Sequence, residues 1–314
     1  MFFRCGEKNS FKGDSIEFLP NLPNSNNLGI AELNGELYYF SYFESTTQIS
    51  SSVYSISYYL GDIYKLVDDT WTQVFKTREK LYYIDSINKP LSIVVSCNGA
   101  FYGAFGSYKF DGETFTKTKY NSYYKYFGRA FAYNNKIYKI SGSPSVNVVV
   151  YDTETDTIEK ELLVSSSTVT TGGYGNHFMI LINNSIIACV LNTNTTTVDL
   201  YKLNSDDTWS KVGNLQANGN TSVVQYKNEV HLIGKGSNYT YLNQSTRSCD
   251  IYHKKYASTG YTDLDSIFSK LLPCSNMMGC EYNGKLVLCG FSIRGNTSLT
   301  NDNTTCIAID LKGE

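Results

Sequence analysis

The chain has 314 residues, of which 41% are hydrophobic and 18% are charged, and its formal net charge is −2. This balance gives no electrostatic basis for binding nucleic acid or an anionic membrane. No apolar run approaches the roughly 20 residues that a membrane-spanning helix needs, so membrane insertion is not expected. The N-terminal MFFRCGEK does not resemble a secretion signal, so we expect a protein made in the cytoplasm.

One short pattern recurs six times along the chain: an apolar strand, a two-residue turn, and a second apolar strand. Asn and Gly tolerate the positive φ that tight hairpin turns require, so each copy predicts a β-hairpin. The turn pairs are Asn34-Gly35, Asn98-Gly99, Asn134-Asn135, Asn183-Asn184, Lys227-Asn228 and Asn283-Gly284.

A second pattern follows these hairpins: a third strand, a polar turn, and a fourth strand opened by an aromatic or β-branched residue. Each opening residue is expected to pack against the neighbouring sheet. Together the two patterns predict a four-stranded unit with the period of a propeller blade. The opening residues are Trp71, Phe115, Ile158, Trp209 and Tyr261.

The predicted fold class is all-β: a six-bladed β-propeller of four-stranded blades, forming one domain over residues 1–314. After the sixth hairpin, residues 304–311 supply one strand only, and residues 13–23 resemble the missing fourth strand. We therefore expect an N-terminal strand within residues 1–23 to complete the last blade and close the ring. The blades are expected near residues 28–76, 92–119, 128–163, 176–213, 221–265 and 277–311.

The segment from Ser41 to Tyr59 is long enough for a further hairpin, so a seven-bladed ring is the alternative architecture. It lacks a two-residue turn signal. We therefore interpret it as one extended loop.

The repeats resemble kelch repeats. Ile137-Tyr138, Ser141-Gly142 and Tyr151-Asp152 match the kelch pattern best, and Trp71 and Trp209 match its fourth-strand Trp. No repeat keeps the full Gly-Gly pair of that pattern. The similarity extends over nearly the whole chain but is diffuse in each repeat, and it implies the fold more strongly than a function.

Few residues indicate chemistry. His231 alternates with apolar strand residues and is expected to be packed, His253 is expected in a solvated outer turn, and His177 lies near the expected propeller axis. The eight cysteines contain no C-x-x-C pair, so we expect mainly reduced, packed thiols, with a disulfide between two neighbouring ones left open. We predict no catalytic, cofactor-binding or metal-binding residues and no enzymatic activity. A sugar-active enzyme is an alternative, because some kelch-like propellers are enzymes.

Tyrosine-rich segments indicate a partner-binding surface at the end of the ring where second and third strands are joined. Tyrosine offers a large contact area and a hydrogen bond at low entropic cost, which suits recognition of protein or glycan. The alternative is that tyrosine is simply abundant in strands. The candidate residues are Tyr42, Phe43, Tyr54, Tyr58, Tyr59, Tyr123, Tyr124, Tyr126, Tyr239, Tyr241, Arg247 and Arg294.

A free-standing propeller of this composition resembles the kelch-like proteins of phages of low-GC Gram-positive bacteria. That resemblance implies a non-enzymatic module on a virion, attached to tail, baseplate or capsid. Its expected partners are other virion proteins or a host surface glycan. The alternative is a cytoplasmic protein-interaction scaffold of the kelch type.

Overall fold

A computed structural model describes most of the chain. The described residues are 8–11, 14–24, 26–51, 53–76, 83–85, 94–103, 108–120, 130–142, 145–165, 177–192, 197–216, 222–226, 229–243, 246–257, 260–263, 271–293 and 304–310. All regular structure in these ranges is β-strand. They contain no helix of the length and apolar character needed to cross a membrane.

The strands form six antiparallel sheets. The N-terminal strands are β1 (Lys8–Phe11) and β2 (Asp14–Leu19). Sheet 1 contains β3 (Asn27–Leu33), β4 (Glu36–Ser50), β5 (Val53–Val67), β6 (Thr70–Phe75) and β7 (Tyr83–Asp85). Sheet 2 contains β8 (Val95–Cys97), β9 (Ala100–Tyr102), β10 (Tyr108–Phe110) and β11 (Phe115–Lys117). Sheet 3 contains β12 (Ala130–Tyr133), β13 (Lys136–Gly142), β14 (Val146–Asp152) and β15 (Thr157–Ser165).

The second half of the chain repeats this arrangement. Sheet 4 contains β16 (Phe178–Ile182), β17 (Ser185–Asn192), β18 (Thr197–Leu203) and β19 (Trp209–Gln216). Sheet 5 contains β20 (Ser222–Tyr226), β21 (Glu229–Asn243), β22 (Thr246–Ala257) and β23 (Gly260–Asp263). The terminal sheet combines β24 (Leu271–Tyr282), β25 (Lys285–Ile293) and β26 (Thr305–Asp310) with β2 and β1.

The sheets are arranged as a β-propeller. Their first strands β3, β8, β12, β16, β20 and β24 lie beside one another in chain order, and β24 also lies beside β3. The first strand of each sheet therefore lines the axis, and later strands lie progressively outward.

The prediction of a six-bladed propeller made of four-stranded blades is wrong, because the structure has five blades that are each formed by one continuous stretch of chain. The remaining sheet is a composite of both ends of the chain. The terminal sheet and sheet 1 also have five strands rather than four, because β1 pairs with β2 and β7 pairs with β5. Neither β1 nor β7 carries the turn signals on which the repeat was recognised.

The tight turns follow the predicted chemistry. Both residues of each predicted turn pair have positive φ wherever the pair is described, for example 54° at Asn34 and 81° at Gly35. Lys227-Asn228 lies outside the described residues. Positive φ at both positions matches the right-handed strand twist, which explains why Asn and Gly recur at these sites.

Apolar clusters between successive sheets hold the ring together. Phe40 and Ile63 of sheet 1 pack with Phe101 and Phe110 of sheet 2. The fourth-strand residues Trp71, Phe115 and Trp209 pack against such clusters, as predicted. Ile158 does not, since it is exposed on the outer strand β15. The side chain of Tyr261 is not among those described.

The terminal sheet closes the ring. Strand β2 pairs with β26, from Ser15 opposite Asp310 to Leu19 opposite Cys306. Lys285 Nζ lies 2.6 Å from Glu17 Oε2, which ties β25 to the N-terminal segment. Cys289 and Cys306, directly opposite each other on β25 and β26, are joined by a disulfide. Two cysteines of this sheet are therefore paired, whereas Cys97, Cys189 and Cys280 are free thiols.

Candidate partner-binding surface

Two long hairpins extend from the same end of the ring. We define the upper face as the end at which the second strand of each sheet is followed by the third. There β4 and β5 have 15 residues each and β21 has 15, whereas β13 has 7 and β17 has 8. At about 3.3 Å per residue, the extra seven or eight residues extend a hairpin by roughly 25 Å. We call residues 43–59 arm 1 and residues 237–248 arm 5.

The arms arise from sheets 1 and 5, the two sheets that flank the terminal sheet in the ring. The terminal sheet is also extended on this side, where Leu271 pairs with Ile293 and Pro273 with Phe291. Three adjacent sheets therefore carry the elongated strands, and the upper face is asymmetric around the axis.

Arm 1 has an aromatic base. Tyr42 and Leu60 are buried in the apolar cluster between sheets 1 and 2. Directly above them, the rings of Phe43 and Tyr59 stack with their centroids 4.9 Å apart. The base is therefore anchored by apolar burial and stacking.

A bulge at Ser41 sets where the arm leaves the ring. The register shifts between Phe40 and Tyr42, and Ser41 Oγ donates a hydrogen bond to the Asp62 carbonyl oxygen at 2.8 Å. A Cβ atom at position 61 would lie 2.5 Å from Ser41 Oγ, so Gly61 permits this close approach.

The outer part of arm 1 is solvent-exposed and almost uncharged. Residues 46–51 are exposed, and Ile49 is 68% exposed, the most exposed of the large hydrophobic side chains described. Glu44 is the only charged residue between positions 43 and 59. Charged residues usually protect an exposed strand edge from pairing, and arm 1 has almost none of them.

One edge of arm 1 is paired with a segment from elsewhere in the chain. Strand β7 pairs with β5, placing Tyr83 opposite Tyr59 and Asp85 opposite Ser57. On the other side, the β3–β4 pairing ends at Asn27 and Ser41, and Tyr42 N donates to the Asn26 carbonyl oxygen at 2.9 Å. Within the described ranges, no strand pairs with that edge of β4 from Phe43 to Ser50.

The structure corrects the interpretation of residues 41–60 as a loop, and it also excludes a separate blade there. These residues continue β4 and β5 of sheet 1. The candidates Tyr239, Tyr241 and Arg247 likewise lie on strands, the first two on β21 and the third on β22. Tyr42 is 3% exposed and Tyr59 is 8% exposed, so neither presents its ring to a partner. The two tyrosine side chains are buried because they pack at the upper edge of the propeller, next to the point where β3 ends.

The other candidate residues have different positions. Phe43 is half-buried in its stack with Tyr59. Tyr54 and Tyr58 lie on β5 opposite Gln48 and Glu44. On arm 5, Tyr239 lies opposite Cys249, and Tyr241 lies opposite Arg247. The candidates outside the described residues are Tyr123, Tyr124, Tyr126 and Arg294.

Two buried ionisable side chains lie near the upper ends of sheets 3 and 4. His177 directly precedes β16 and is 4% exposed, and burial lowers its pKa to about 4. Lys139 pairs with Ala130 at the start of β12 and is 7% exposed, and burial lowers its pKa to about 8. His177 is therefore neutral at pH 7. Lys139 was not predicted to be buried, although strand alternation places it on the same face as the fully buried Ile137.

Other polar residues serve the fold. His231 is fully buried with its ring edge-on to Tyr226, as expected of a packed histidine. His253 lies on β22 opposite Ile233, so its prediction in an outer turn is wrong. Asp111 accepts hydrogen bonds from the Glu113 and Thr114 amides at 3.0 and 2.8 Å, and these bonds lower its pKa. Across the described part of the chain, no group of three or more His, Cys, Asp or Glu side chains could hold a metal ion.

Comparison with known proteins supports the fold. No family model matches the chain, and no curated protein matches its sequence. The solved structure of YjhT is similar with a TM-score of 0.52 and 11% identity, covering 92% of this chain and 95% of YjhT. At this identity the likeness shows a shared β-propeller fold, and kelch membership stays a resemblance.

Weaker similarities extend to proteins with different names. The β-propeller domain of Myceliophteria thermophila Cps50 (Swd1) has a TM-score of 0.44 and 8% identity, covering 94% of this chain and 99% of that domain. A glycoside hydrolase family 43 arabinoxylan arabinofuranohydrolase from Bacillus subtilis has a TM-score of 0.40 and 12% identity, covering 91% of this chain and 63% of the enzyme. The fold itself does not decide between binding and catalysis.

Proposed function

We propose that the chain is a protein-binding module whose partner contacts the upper face through arms 1 and 5. The observation that carries the proposal is the pair of elongated hairpins on one end of the ring. An isolated two-stranded hairpin is only marginally stable in water. Arms that extend beyond the ring are therefore best explained by contacts made outside it.

The composition of the arms favours a protein partner. The exposed part of arm 1 offers hydroxyl groups, an exposed Ile49 and backbone hydrogen-bonding groups, and arm 5 carries Tyr239, Tyr241 and Arg247. Tyrosine and arginine are enriched at protein interfaces, whereas a nearly uncharged strand edge suits backbone pairing with another polypeptide.

The finer form of the proposal is a virion-associated role in which the partner is another virion protein. Its support is the resemblance to free-standing kelch-like phage proteins, described above from the repeats and composition. A cytoplasmic scaffold would use the same surface with a cellular partner.

The proposal is tested by affinity capture from a lysate of the source, read by mass spectrometry. Three tagged forms are compared: the wild type, a variant with residues 44–58 replaced by Asn-Gly, and the lower-turn control Glu154→Ala. We expect the arm-1 variant to lose partners that the wild type and the control retain. Equal capture by all three forms would contradict a role for arm 1.

The identity of the captured proteins tests the finer form. Capsid, tail or baseplate proteins lost with arm 1 would support a virion role. Cytosolic proteins alone would overturn that role and leave the scaffold. A captured surface glycan would contradict the choice of a protein partner.

A further inference from the structure

We infer that arm 1 pairs with arm 1 of a second copy of this chain, edge to edge through β4. The inference deepens the proposed function, on which it rests, by naming one partner of the upper face. It depends on three features of the arm: an edge with no strand beside it among the described residues, the lack of charge along that edge, and the direction in which β4 runs.

The first feature is the edge itself. From Phe43 to Ser50, β4 pairs with β5 on one side only, in a regular register from Tyr42 to Gln48 and with a bulge only near the tip, between Gln48 and Ser50. Such an edge presents unpaired N–H and C=O groups to any strand that can lie beside it. The opposite edge of the arm already holds β7, so the hairpin is able to take an added strand.

The second feature, charge, selects the occupant. An antiparallel pair of β4 strands centred on Thr47 places Ser45 opposite Ile49 and Glu44 opposite Ser50, so no like charges face each other. A register that opposed Glu44 to Glu44 would place residues 47–50 of one copy against residues 38–41 of the other, and that part of β4 already pairs with β3. Opposed Thr residues are a favourable cross-strand pair. The edge is therefore self-complementary.

The third feature, strand direction, gives a closed pair. In each copy β4 runs away from the ring, so antiparallel pairing places the two rings at opposite ends of the paired arms, with their upper faces towards each other. The contact is isologous and closes on itself as a two-fold dimer. The product is one continuous sheet in the order β7–β5–β4–β4–β5–β7.

Sedimentation equilibrium of the full chain at 1–100 µM measures this association. For the wild type we expect a species of twice the 35.3 kDa chain mass. The disrupting variant is Thr46→Lys/Thr47→Lys on β4. The matched control is Ser55→Lys/Ile56→Lys, at the same height on β5, because Thr47 lies opposite Ser55 and Thr46 opposite Ile56.

The two variants add the same charge to the same hairpin at different distances from the dyad. The lysine at position 47 of β4 faces its symmetry mate across about 5 Å, and the lysine at position 46 lies diagonally from its mate at roughly 7–8 Å. The lysines on β5 are at least three strand spacings, roughly 15 Å, from theirs. That distance exceeds the Debye length of about 8 Å at physiological ionic strength. We expect the β4 variant to raise the dimer dissociation constant roughly tenfold or more, in a salt-dependent way, and the β5 control to change it little.

Two results would overturn the inference: a monomeric wild type at 100 µM, or equal dissociation of the β4 and β5 variants. Far-UV circular dichroism of both variants checks that the propeller is folded. A monomeric wild type whose captured partners still depend on arm 1 would leave the proposed function standing alone. If the dimer depends on β4 but the captured partners do not depend on arm 1, the dimer would stand and the proposed role of arm 1 in capturing other partners would fail.

Discussion

His177 makes the stability of the ring depend on pH. Its pKa is lowered from 6.5 to about 4 by burial, so the folded state holds it neutral while the unfolded state protonates it near pH 6.5. The free energy of unfolding is unaffected by this group above pH 6.5, and it falls as the pH drops from 6.5 towards 4. We expect the free energy of unfolding to be about 2 kcal/mol lower at pH 5 than at pH 7.5 from this group.

Urea titrations at pH 7.5 and pH 5 measure that loss. The variant His177→Gln cannot titrate, so its stability should change less between the two pH values by about the same 2 kcal/mol. Identical pH dependence in the wild type and the variant would show that His177 is not held neutral by the fold.

The pKa of Lys139 is also lowered, but its effect on stability appears at a different pH. Its pKa is lowered from 10.5 to about 8 by burial, so at pH 7 the folded chain keeps a desolvated ammonium group. Between pH 8 and pH 10.5 the folded chain has lost this proton while the unfolded chain still binds it, so the free energy of unfolding rises with pH in that range. We expect this group to raise the free energy of unfolding by about 2 kcal/mol between pH 7 and pH 10, and Lys139→Met to lack that rise.

Chemical denaturation of Lys139→Met at pH 7 and pH 10 tests this expectation. Lys211→Met is the matched control, since Lys211 is an exposed strand lysine paired with Asp199 at 2.9 Å. Equal pH dependence of the wild type and Lys139→Met would show that burial does not lower the pKa of Lys139.

At the scale of single elements, the junction between arm 1 and the ring depends on Gly61. A Cβ atom there would lie 2.5 Å from Ser41 Oγ and 3.1 Å from the Ser41 carbonyl carbon, so a side chain must displace the bulge. We expect Gly61→Val to cost about 2 kcal/mol and to alter the direction of arm 1. Gly213→Ala is the control, because a Cβ atom there has nothing within 4 Å.

Urea midpoints of the two glycine variants give the comparison. Hydrogen exchange of the arm-1 amides reports whether the hairpin itself is disturbed. Equal midpoints in Gly61→Val and Gly213→Ala would show that the bulge accommodates a side chain and does not fix the arm.

The same elements show what the sequence could predict. The turn at Asn34-Gly35 was predictable because its chemistry is local, with two residues that accept positive φ between two apolar strands. Arm 1 was missed because its tip is a run of serines without that signal. The alternation of Tyr54, Ile56 and Tyr58 with serine is a strand pattern, but without a turn signal the segment was interpreted as a loop. The regular hairpins could thus be predicted from local sequence patterns, and the arms could not.

Whether a candidate side chain is buried depends on the neighbouring sheets, which a local sequence pattern does not reveal. Tyr42 and Tyr59 look like ligand-binding tyrosines in sequence, yet Tyr42 packs into the cluster with Leu28 and Val94, and Tyr59 is buried beneath Phe43. Lys139 looks like a surface lysine in the sequence, but its side chain is buried on β13. Which side of a strand faces the next sheet is a property of the assembled ring, so these assignments needed the structure.

At the scale of the whole molecule, closure of the ring depends on β2. Strand β26 is buried, with Cys306, Ile307 and Ile309 fully inaccessible, and β2 covers its outer edge. Removing residues 1–19 would expose that edge and delete the ion pair between Glu17 and Lys285. Removing residues 1–12 would take away only β1 and leave β2 in place.

We therefore expect the two truncations to differ sharply in scanning calorimetry. The 1–12 deletion should melt within a few degrees of the full chain, because β2 is the strand that β1 pairs with in the described part of the chain. The 1–19 deletion should lower the melting temperature on the order of 10 °C and broaden the transition, since the terminal sheet loses the strand that joins the two ends of the chain. Equal melting of the two truncations would mean that sheets 1 and 5 hold the terminal sheet without β2, and that contacts between first strands keep the ring closed.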